Sequence, residues 1–412
     1  MLLVGATLPD GTTGDVRLSG GSIAEVGRTL ARRDSDDGDT SYQGRGEEVV
    51  DLRGFLLLPA LAEPHAHLDK ALTADRVPNR TGDLFGAIEA WVSYRPQLTV
   101  DDIVERATRA ALVLLGNGTT AIRTHVDVAA DVGLRCVEAL SVVKAALADR
   151  LDLQIVALVA PPVGGSLGAD HQALLRDAMA AGADVVGGCP HIDPEPMAAL
   201  HHCVALAAEL ERPIDLHMDE TLDPTVLGVV ELAADVAARR FGPGATASHC
   251  VSLGMQERDA QLRIAAGLAE AGVAVITLPQ TNLFLQGRAH PVATPRGLTA
   301  LRPLLDAGVT VAAGGDNLQD PFNLVGRGDP LEAASLLVAA GHLLPEEALA
   351  AVSGSARSAM GLPFVAVAPG SPAELVAIRA SSVREAIATA SPERIVFHRG
   401  TVVARSMMEA SP

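Results

Sequence analysis

The chain has 412 residues, of which 48% are hydrophobic and only 2% aromatic, so its core is expected to be large and aliphatic. The formal net charge of −18 argues against binding nucleic acid or an anionic membrane surface and favours a small uncharged or cationic ligand. The four cysteines lack C-x-x-C spacing, and no signal peptide or long apolar segment is evident, which predicts a cytoplasmic protein. A homo-oligomer is left open.

The first part of the chain reads as short strands joined by turns. Strands are predicted at residues 5–8, 15–18 and 23–26, and the polar stretch 32–48 is predicted to be a solvated loop. Strand-like runs return after Pro363. The two termini are therefore expected to pair in a small β-sandwich domain.

Between these parts, apolar runs that end in polar residues alternate with helical patterns. The eight runs are 55–67, 121–128, 153–160, 184–192, 213–220, 245–250, 273–282 and 309–317. One intervening helix is opened by Thr99 with Asp102 three residues on. The alternation predicts an α/β fold, a (β/α)8 TIM-type barrel at 55–362, with the small β-domain formed from 1–54 and 363–412.

Polar residues cluster where the predicted barrel strands end. His65 and His67 are two residues apart, so a strand projects both imidazoles to one face, although two surface histidines would give the same pattern. His217, His249 and Asp316 end three other strands. Three such histidines with one carboxylate at the rim of a barrel suit Zn²⁺ or Fe²⁺ as ligands.

These segments resemble the amidohydrolase superfamily, on the bacterial cytosine deaminase branch, over nearly the whole chain. The similar stretches are 63–69, 123–127, 152–157, 182–187, 190–191, 215–220, 247–249, 282–288, 315–316 and 320–322. The resemblance implies a barrel enzyme with a catalytic metal. It is more specific for the fold and the metal site than for the substrate.

By that resemblance, His65, His67, His217 and Asp316 bind one divalent metal ion, Zn²⁺ or Fe²⁺. Members of the superfamily with two metals carry a carboxylated lysine after the fourth barrel strand, whereas residues 187–191 here read Gly-Gly-Cys-Pro-His. A mononuclear site is therefore expected.

The resemblance also implies three catalytic roles. Asp316 takes a proton from the attacking water, and Glu220 protonates a ring nitrogen and then the departing ammonia. His249 hydrogen-bonds the reacting oxygen. A salt bridge at the rim, with Lys70 or an arginine, is the alternative for Glu220.

Five residues are candidate substrate contacts. Gln286 and Phe322 resemble residues that line the ring pocket, although Phe322 could equally serve loop packing, and His191 lies near the mouth. Asn317 stands where cytosine deaminases have a second carboxylate, and Lys70 where they have a small hydroxyl residue. Lys70 would either attract an anionic substituent or be solvated.

The third strand breaks the family pattern. In cytosine deaminases it ends in Pro-Gln-Glu-Gly, whose glutamine reads the pyrimidine edge, but residues 159–164 here read Val-Ala-Pro-Pro-Val-Gly. We therefore predict a metal-dependent hydrolytic deaminase of an aminated heterocycle other than cytosine. The alternatives are an N-alkylamine or cyclic amide hydrolase on the same metal centre, or a non-catalytic binding protein.

Overall fold

Two eight-stranded sheets organise the protein, whose computed structural model describes residues 1–30 and 47–407. The predicted loop at 32–48 lies almost wholly outside the described residues. The strands are β1 (Leu2–Thr7), β2 (Thr13–Ser19), β3 (Ser22–Gly27), β4 (Val49–Asp51), β5 (Phe55–Pro59), β6 (Leu61–Ala66), β7 (Thr119–Val128), β8 (Asp152–Val159), β9 (Val185–Gly188), β10 (Ile214–Met218), β11 (Ala245–His249), β12 (Val273–Thr277), β13 (Val311–Ala313), β14 (Leu375–Arg379), β15 (Arg394–His398) and β16 (Thr401–Ser406).

The second sheet is the predicted parallel barrel, with strand order from β6 to β13. The described α-helices are Leu84–Tyr94, Val100–Gly116, Arg135–Ala146, Ala169–Ala180, Pro196–Glu209, Gly228–Arg239, Arg258–Ala271, Pro279–Leu285, Leu301–Asp306, Pro330–Ala339, Pro345–Ala351, Gly354–Ala359 and Val383–Thr389. Thr99 caps its helix as predicted, because its side chain accepts a hydrogen bond from the backbone N–H of Asp102. The (β/α)8 architecture is confirmed.

The other sheet is mixed and joins both ends of the chain, as predicted. Its order is β16-β15-β14-β5-β1-β2-β3, with β4 beside β1. The buried guanidinium of Arg394 in β15 contacts the Asp329 carboxylate at 2.6 Å and the backbone oxygen of Asn117 at 2.6 Å. These contacts attach the terminal sheet to the barrel.

The run predicted as the first barrel strand, 55–67, is two strands. β5 pairs antiparallel with β14 in the terminal sheet, and only β6 pairs with barrel strand β7. The run is apolar on both faces because Leu56 and Leu58 pack in the main core whereas Phe55 and Leu57 pack in the core of the terminal sheet. The division of the chain at residues 54 and 362 stays a prediction.

The barrel closes at the end where the predicted site residues lie. The backbone N–H of Asp316 donates to the oxygen of His65 at 2.9 Å, and the N–H of His67 donates to the oxygen of Asp316 at 3.0 Å. The hydrogen bonds that close the barrel therefore also position His65, His67 and Asp316. Within 1–30 and 47–407, no helix has both the length and the apolar character needed to cross a membrane.

Candidate active site

The predicted metal ligands converge at the carboxyl ends of the barrel strands. His65 and His217 lie in β6 and β10, His67 directly follows β6, and Asp316 lies three residues beyond the end of β13. Nε2 of His67 is 3.2 Å from Nε2 of His217 and 3.2 Å from Oδ1 of Asp316, which is 3.5 Å from Nε2 of His65. The four side chains form one buried cluster.

The spacing within the cluster fits a metal ion. Two atoms that each lie about 2.1 Å from Zn²⁺, at about 100° to each other, are roughly 3.2 Å apart. Nε2 of His65 and both carboxylate oxygens of Asp316 are buried without a hydrogen-bond partner, which is costly unless a cation satisfies them. The histidine cluster is thus suited to a divalent metal.

Two more histidines border this cluster. One possible ligand atom from each of His65, His125 and His217 lies within 4.8 Å of the others, and the same holds for His65, His249 and Asp316. His125 stacks on His65 with ring centroids 3.8 Å apart, and neither of its ring nitrogens has a hydrogen-bond partner, although Nε2 lies 3.8 Å from Oδ2 of Asp215.

Burial favours the neutral, metal-binding form of four of these histidines. Desolvation, assisted by the neighbouring imidazoles, holds the pKa of His65, His125 and His217 well below its usual range. Burial likewise lowers the pKa of His249 to about 4. Neutral imidazole offers a lone pair, which a protonated one does not.

The backbone is strained where two strands end in the site. Asp316 has φ 62° and His249 has φ 72°, in the left-handed region that non-glycine residues seldom adopt. The backbone on either side of the site, at Gly315 and His65, is held by Glu63, a buried residue that we did not predict. Its Oε2 accepts the N–H of Gly315 at 2.8 Å, its Oε1 accepts that of His65 at 3.1 Å, and burial raises its pKa to about 8.

Glu220 and His249 lie side by side at the base of the cavity. Oε1 of Glu220 is 3.5 Å from Nδ1 of His249, which lies 3.2 Å from Nδ2 of Asn282. Burial, reinforced by the charge of Asp316, raises the pKa of Glu220 well above its usual range. No salt bridge joins Glu220 to a lysine or arginine among the described residues, so the alternative role at the rim finds no support.

A cavity of about 370 Å³ opens above the cluster. His191, Asn317, Phe322 and Lys70 line it, whereas Gln286 does not, because its amide donates to the backbone oxygen of Glu220 at 3.3 Å. The amide of Asn317 donates to Asp320 at 2.7 Å, and Nδ1 of His191 lies 3.1 Å from the backbone oxygen of His217.

Lys70 is neither solvated nor free to attract an anion. Its Nζ lies 2.7 Å from Oδ1 of Asp127 and 3.3 Å from Asp69, and only 4% of the residue is exposed. Burial disfavours the charged amine, but these carboxylates outweigh that effect and raise the pKa of Lys70. Oδ2 of Asp127 also accepts from Nε1 of Trp91 at 2.7 Å and Arg95 at 3.3 Å.

Trp91 and Asp127 form part of the cavity wall, and their place there was not predicted from the sequence. Trp91 belongs to the helix Leu84–Tyr94, which begins after Asp83, and the Asp83 side chain accepts from the N–H of Gly86. This N-cap followed by apolar residues at helical spacing is a signal that could have located the helix. No comparable pattern in the sequence indicates that this helix lies over the pocket.

The fold and the site define the class of protein. The model of the amidohydrolase family matches residues 140–404, and one relative is 34% identical over 87% of the chain. The chain belongs to the amidohydrolase family and is a hydrolase that acts on carbon–nitrogen bonds.

Three proteins of known activity are similar to this chain over most of its length. A pterin deaminase of Rhizobium rhizogenes is 34% identical over 87% of this chain and 83% of its own length. A 5-methylcytosine deaminase from Klebsiella pneumoniae, liganded with 5-fluorocytosine, superposes with a TM-score of 0.89 at 29% identity over 100% of this chain and 99% of its own. An N-isopropylammelide isopropylaminohydrolase from Burkholderia multivorans gives a TM-score of 0.83 at 30% identity, covering 98% of both chains.

Proposed function

We propose that this protein is a metal-dependent hydrolase that releases ammonia from an aminated nitrogen heterocycle. The observation that carries the proposal is the convergence of four buried ligand-type side chains with the buried carboxyl group of Glu220, whose pKa is raised well above its usual range, at the base of one open cavity. Similarity to a pterin deaminase and a 5-methylcytosine deaminase over nearly the whole chain supports it.

His65, His67, His217 and Asp316 would hold one divalent ion, Zn²⁺ or Fe²⁺. The spacing of their ligand atoms and the unpartnered state of His65 Nε2 and the Asp316 oxygens support this set. When bound, such a metal lowers the pKa of a coordinated water and so supplies a nucleophile near neutral pH.

Glu220 and Asp316 divide the proton transfers. Because burial keeps Glu220 protonated, it can donate to the ring nitrogen beside the reacting carbon and activate that carbon for attack. Asp316 accepts the proton from water through an oxygen that has no other hydrogen-bond partner. Glu220, now a carboxylate, takes the proton of the added hydroxyl group and delivers it to the leaving amine, and the proton held by Asp316 restores the acid form of Glu220.

His249 is suited to stabilise the oxygen that gains charge during attack. The amide of Asn282 donates to Nδ1 of His249, so the imidazole proton resides on Nε2, which is buried without a partner. An N–H group aimed at a developing oxyanion stabilises the transition state more than the ground state.

The lining of the cavity favours a two-ring substrate of the pterin type over cytosine. Ala160 and Pro161 offer no side-chain amide to read a pyrimidine edge, whereas His191 presents an unpartnered Nε2 as an acceptor for a ring N–H. Trp91 and Phe322 add aromatic surface for a second ring.

A second candidate is removal of an alkylamine from a triazine ring. It is favoured by the 30% identity with the N-isopropylammelide enzyme over nearly the full length of both chains. The same ligands and Glu220 would serve this reaction, so the released amine separates the two functions.

The test is product analysis with metal-loaded protein. Pterin, cytosine, 5-methylcytosine and N-isopropylammelide are each incubated with it, and ammonia and isopropylamine are quantified. We expect ammonia, with the highest kcat/KM for pterin. Release of isopropylamine alone would support the second candidate, and no amine from any compound would contradict both.

The matched control is Glu220→Gln, which keeps the size of the side chain and removes its transferable proton. It should retain one equivalent of metal while turnover falls by at least about a hundredfold. Turnover near that of the wild type would remove Glu220 from the mechanism.

A further inference from the structure

A chain of buried hydrogen bonds leads away from His65 on the side opposite Asp316. Nδ1 of His65 lies 2.9 Å from Oγ of Ser248, and this hydroxyl lies 2.8 Å from Oδ1 of Asp215. Oδ2 of Asp215 accepts from Nη1 of Arg123 at 2.9 Å. All four side chains are at most 1% exposed.

The chemistry of these groups fixes the direction of each hydrogen bond. Arginine only donates, so Oδ2 of Asp215 accepts from Arg123, and the single hydroxyl proton of Ser248 is donated to Oδ1 of the same carboxyl group. The oxygen of Ser248 must then accept from Nδ1–H of His65. This leaves the lone pair of His65 on Nε2, the atom that lies 3.5 Å from Asp316 and has no hydrogen-bond partner.

The strand geometry explains how these residues meet. Asp215 and His217 are two residues apart in β10, as are Arg123 and His125 in β7, so each pair projects into the barrel interior. The histidines lie in the layer nearer the site, and Arg123 and Asp215 lie beneath them. Layers of this kind fill the interior of such barrels.

We propose that Ser248, Asp215 and Arg123 form a positioning relay that holds His65 in the tautomer whose Nε2 can bind the metal. The inference rests on the proposed function in treating His65 as a ligand, and it goes beyond that function in assigning a task to three residues outside the ligand set. A group that hydrogen-bonds the distal nitrogen of a ligating imidazole sets its orientation and tautomer.

The rest of the network makes the buried ion pair tolerable. Nε of Arg123 donates to Gln154 at 2.9 Å and Nη1 to Thr246 at 3.3 Å, and Gln154 donates to the backbone oxygen of Met360 at 3.0 Å. A satisfied buried pair of this kind could also serve only to fill the barrel. The experiment must therefore separate positioning of His65 from packing.

The variant is Ser248→Ala, and the first readout is metal affinity, measured by competition with a chromogenic chelator for Zn²⁺. Loss of the hydroxyl leaves Nδ1–H of His65 without an acceptor, and we expect affinity to fall about 10- to 100-fold. The control is Thr277→Val in β12, which removes a buried hydroxyl that has no hydrogen-bond partner and should leave affinity unchanged.

The second readout reports the tautomer directly in metal-free protein. Two-bond ¹H–¹⁵N spectra of histidine-labelled wild type should place the proton of His65 on Nδ1, with the signal assigned by its loss in His65→Gln. In Ser248→Ala the two tautomers should mix. A proton on Nε2 in the wild type would overturn the relay whether or not the variant folds.

The outcomes also separate the relay from the proposed function. A protein that binds metal and releases ammonia but shows unchanged affinity in Ser248→Ala would refute the relay alone. A protein that binds no metal would refute the proposed function, while the tautomer of His65 would still decide whether the hydrogen bonds run in the stated direction.

Discussion

Acid sensitivity of the metal-free protein should be traceable to His191. Its Nδ1 donates to the backbone oxygen of His217, its Nε2 is buried, and burial lowers its pKa to about 4. Its unfolded-state pKa is near 6.5. The unfolded chain therefore binds more protons than the folded one between these values, and stability is lost as pH falls through about 6.5 toward about 4.

The magnitude follows from proton linkage. With these two pKa values, the free energy of unfolding falls by about 2 kcal/mol between about pH 7.5 and about pH 5 on account of His191 alone. The other buried histidines add losses of the same sign, so the wild type alone cannot isolate the effect. His191→Gln removes the titrating group and should lose about 2 kcal/mol less than the wild type over this interval.

The assay is urea denaturation of chelator-treated protein at both pH values, with the slopes compared to verify two-state unfolding. The matched control is His290→Gln, because His290 is exposed and its replacement should leave the pH dependence unchanged. An equal loss of stability in the wild type and His191→Gln would refute the argument that the pocket holds this imidazole neutral.

Three further outcomes are expected. Asp127→Asn leaves Lys70 buried with a weakened counter-charge and should cost about 3–5 kcal/mol of unfolding free energy, measured by urea denaturation. Gly314→Ala places a Cβ 2.4 Å from Oε1 of Glu63, which should cost about 1–3 kcal/mol, whereas Gly267→Ala, in an open helical position, should be neutral or stabilising. Removal of the metal by a chelator should lower stability by about 3–4 kcal/mol relative to protein with free metal at about 100 to 1,000 times its Kd, and returning free metal to that concentration should restore it.

Each of these has a contradicting result. If Asp127→Asn were as stable as the wild type, the ion pair between Lys70 and Asp127 would make no net contribution to the stability of the folded protein. If Gly314→Ala and Gly267→Ala changed stability equally, the close approach of Glu63 would not be the reason for glycine at position 314. Identical unfolding curves with and without chelator would argue that the histidine cluster binds no metal.

Much of the fold could be predicted because its signals are local. Apolar runs alternating with helical patterns indicated eight parallel strands, and the barrel formed by β6 to β13 confirms them. The two-residue period of a strand correctly predicted that His65 and His67 belong to one cluster. The rule that polar residues gather at the carboxyl ends of barrel strands brought in His217 and Asp316.

The errors and omissions arose where one residue serves partners far away in the chain. The run 55–67 is divided between two sheets because β5 finds its partner in β14, more than 300 residues later. The sequence could not decide whether Lys70 is solvated, since its partner Asp127 lies 57 residues away. Gln286 lies close to the site, as predicted, but its side-chain amide donates to the backbone oxygen of Glu220 and does not line the cavity.

The sequence by itself therefore determined the barrel, the terminal sheet and the set of chemical groups at the strand ends, since periodicity and strand direction fix these locally. Only the tertiary structure decided which atoms meet. His65 and Ser248 are 183 residues apart, and it is closure of the barrel that brings them within 2.9 Å. Burial in that closed interior, which no local pattern encodes, then raises the pKa of Glu220 and lowers that of His191.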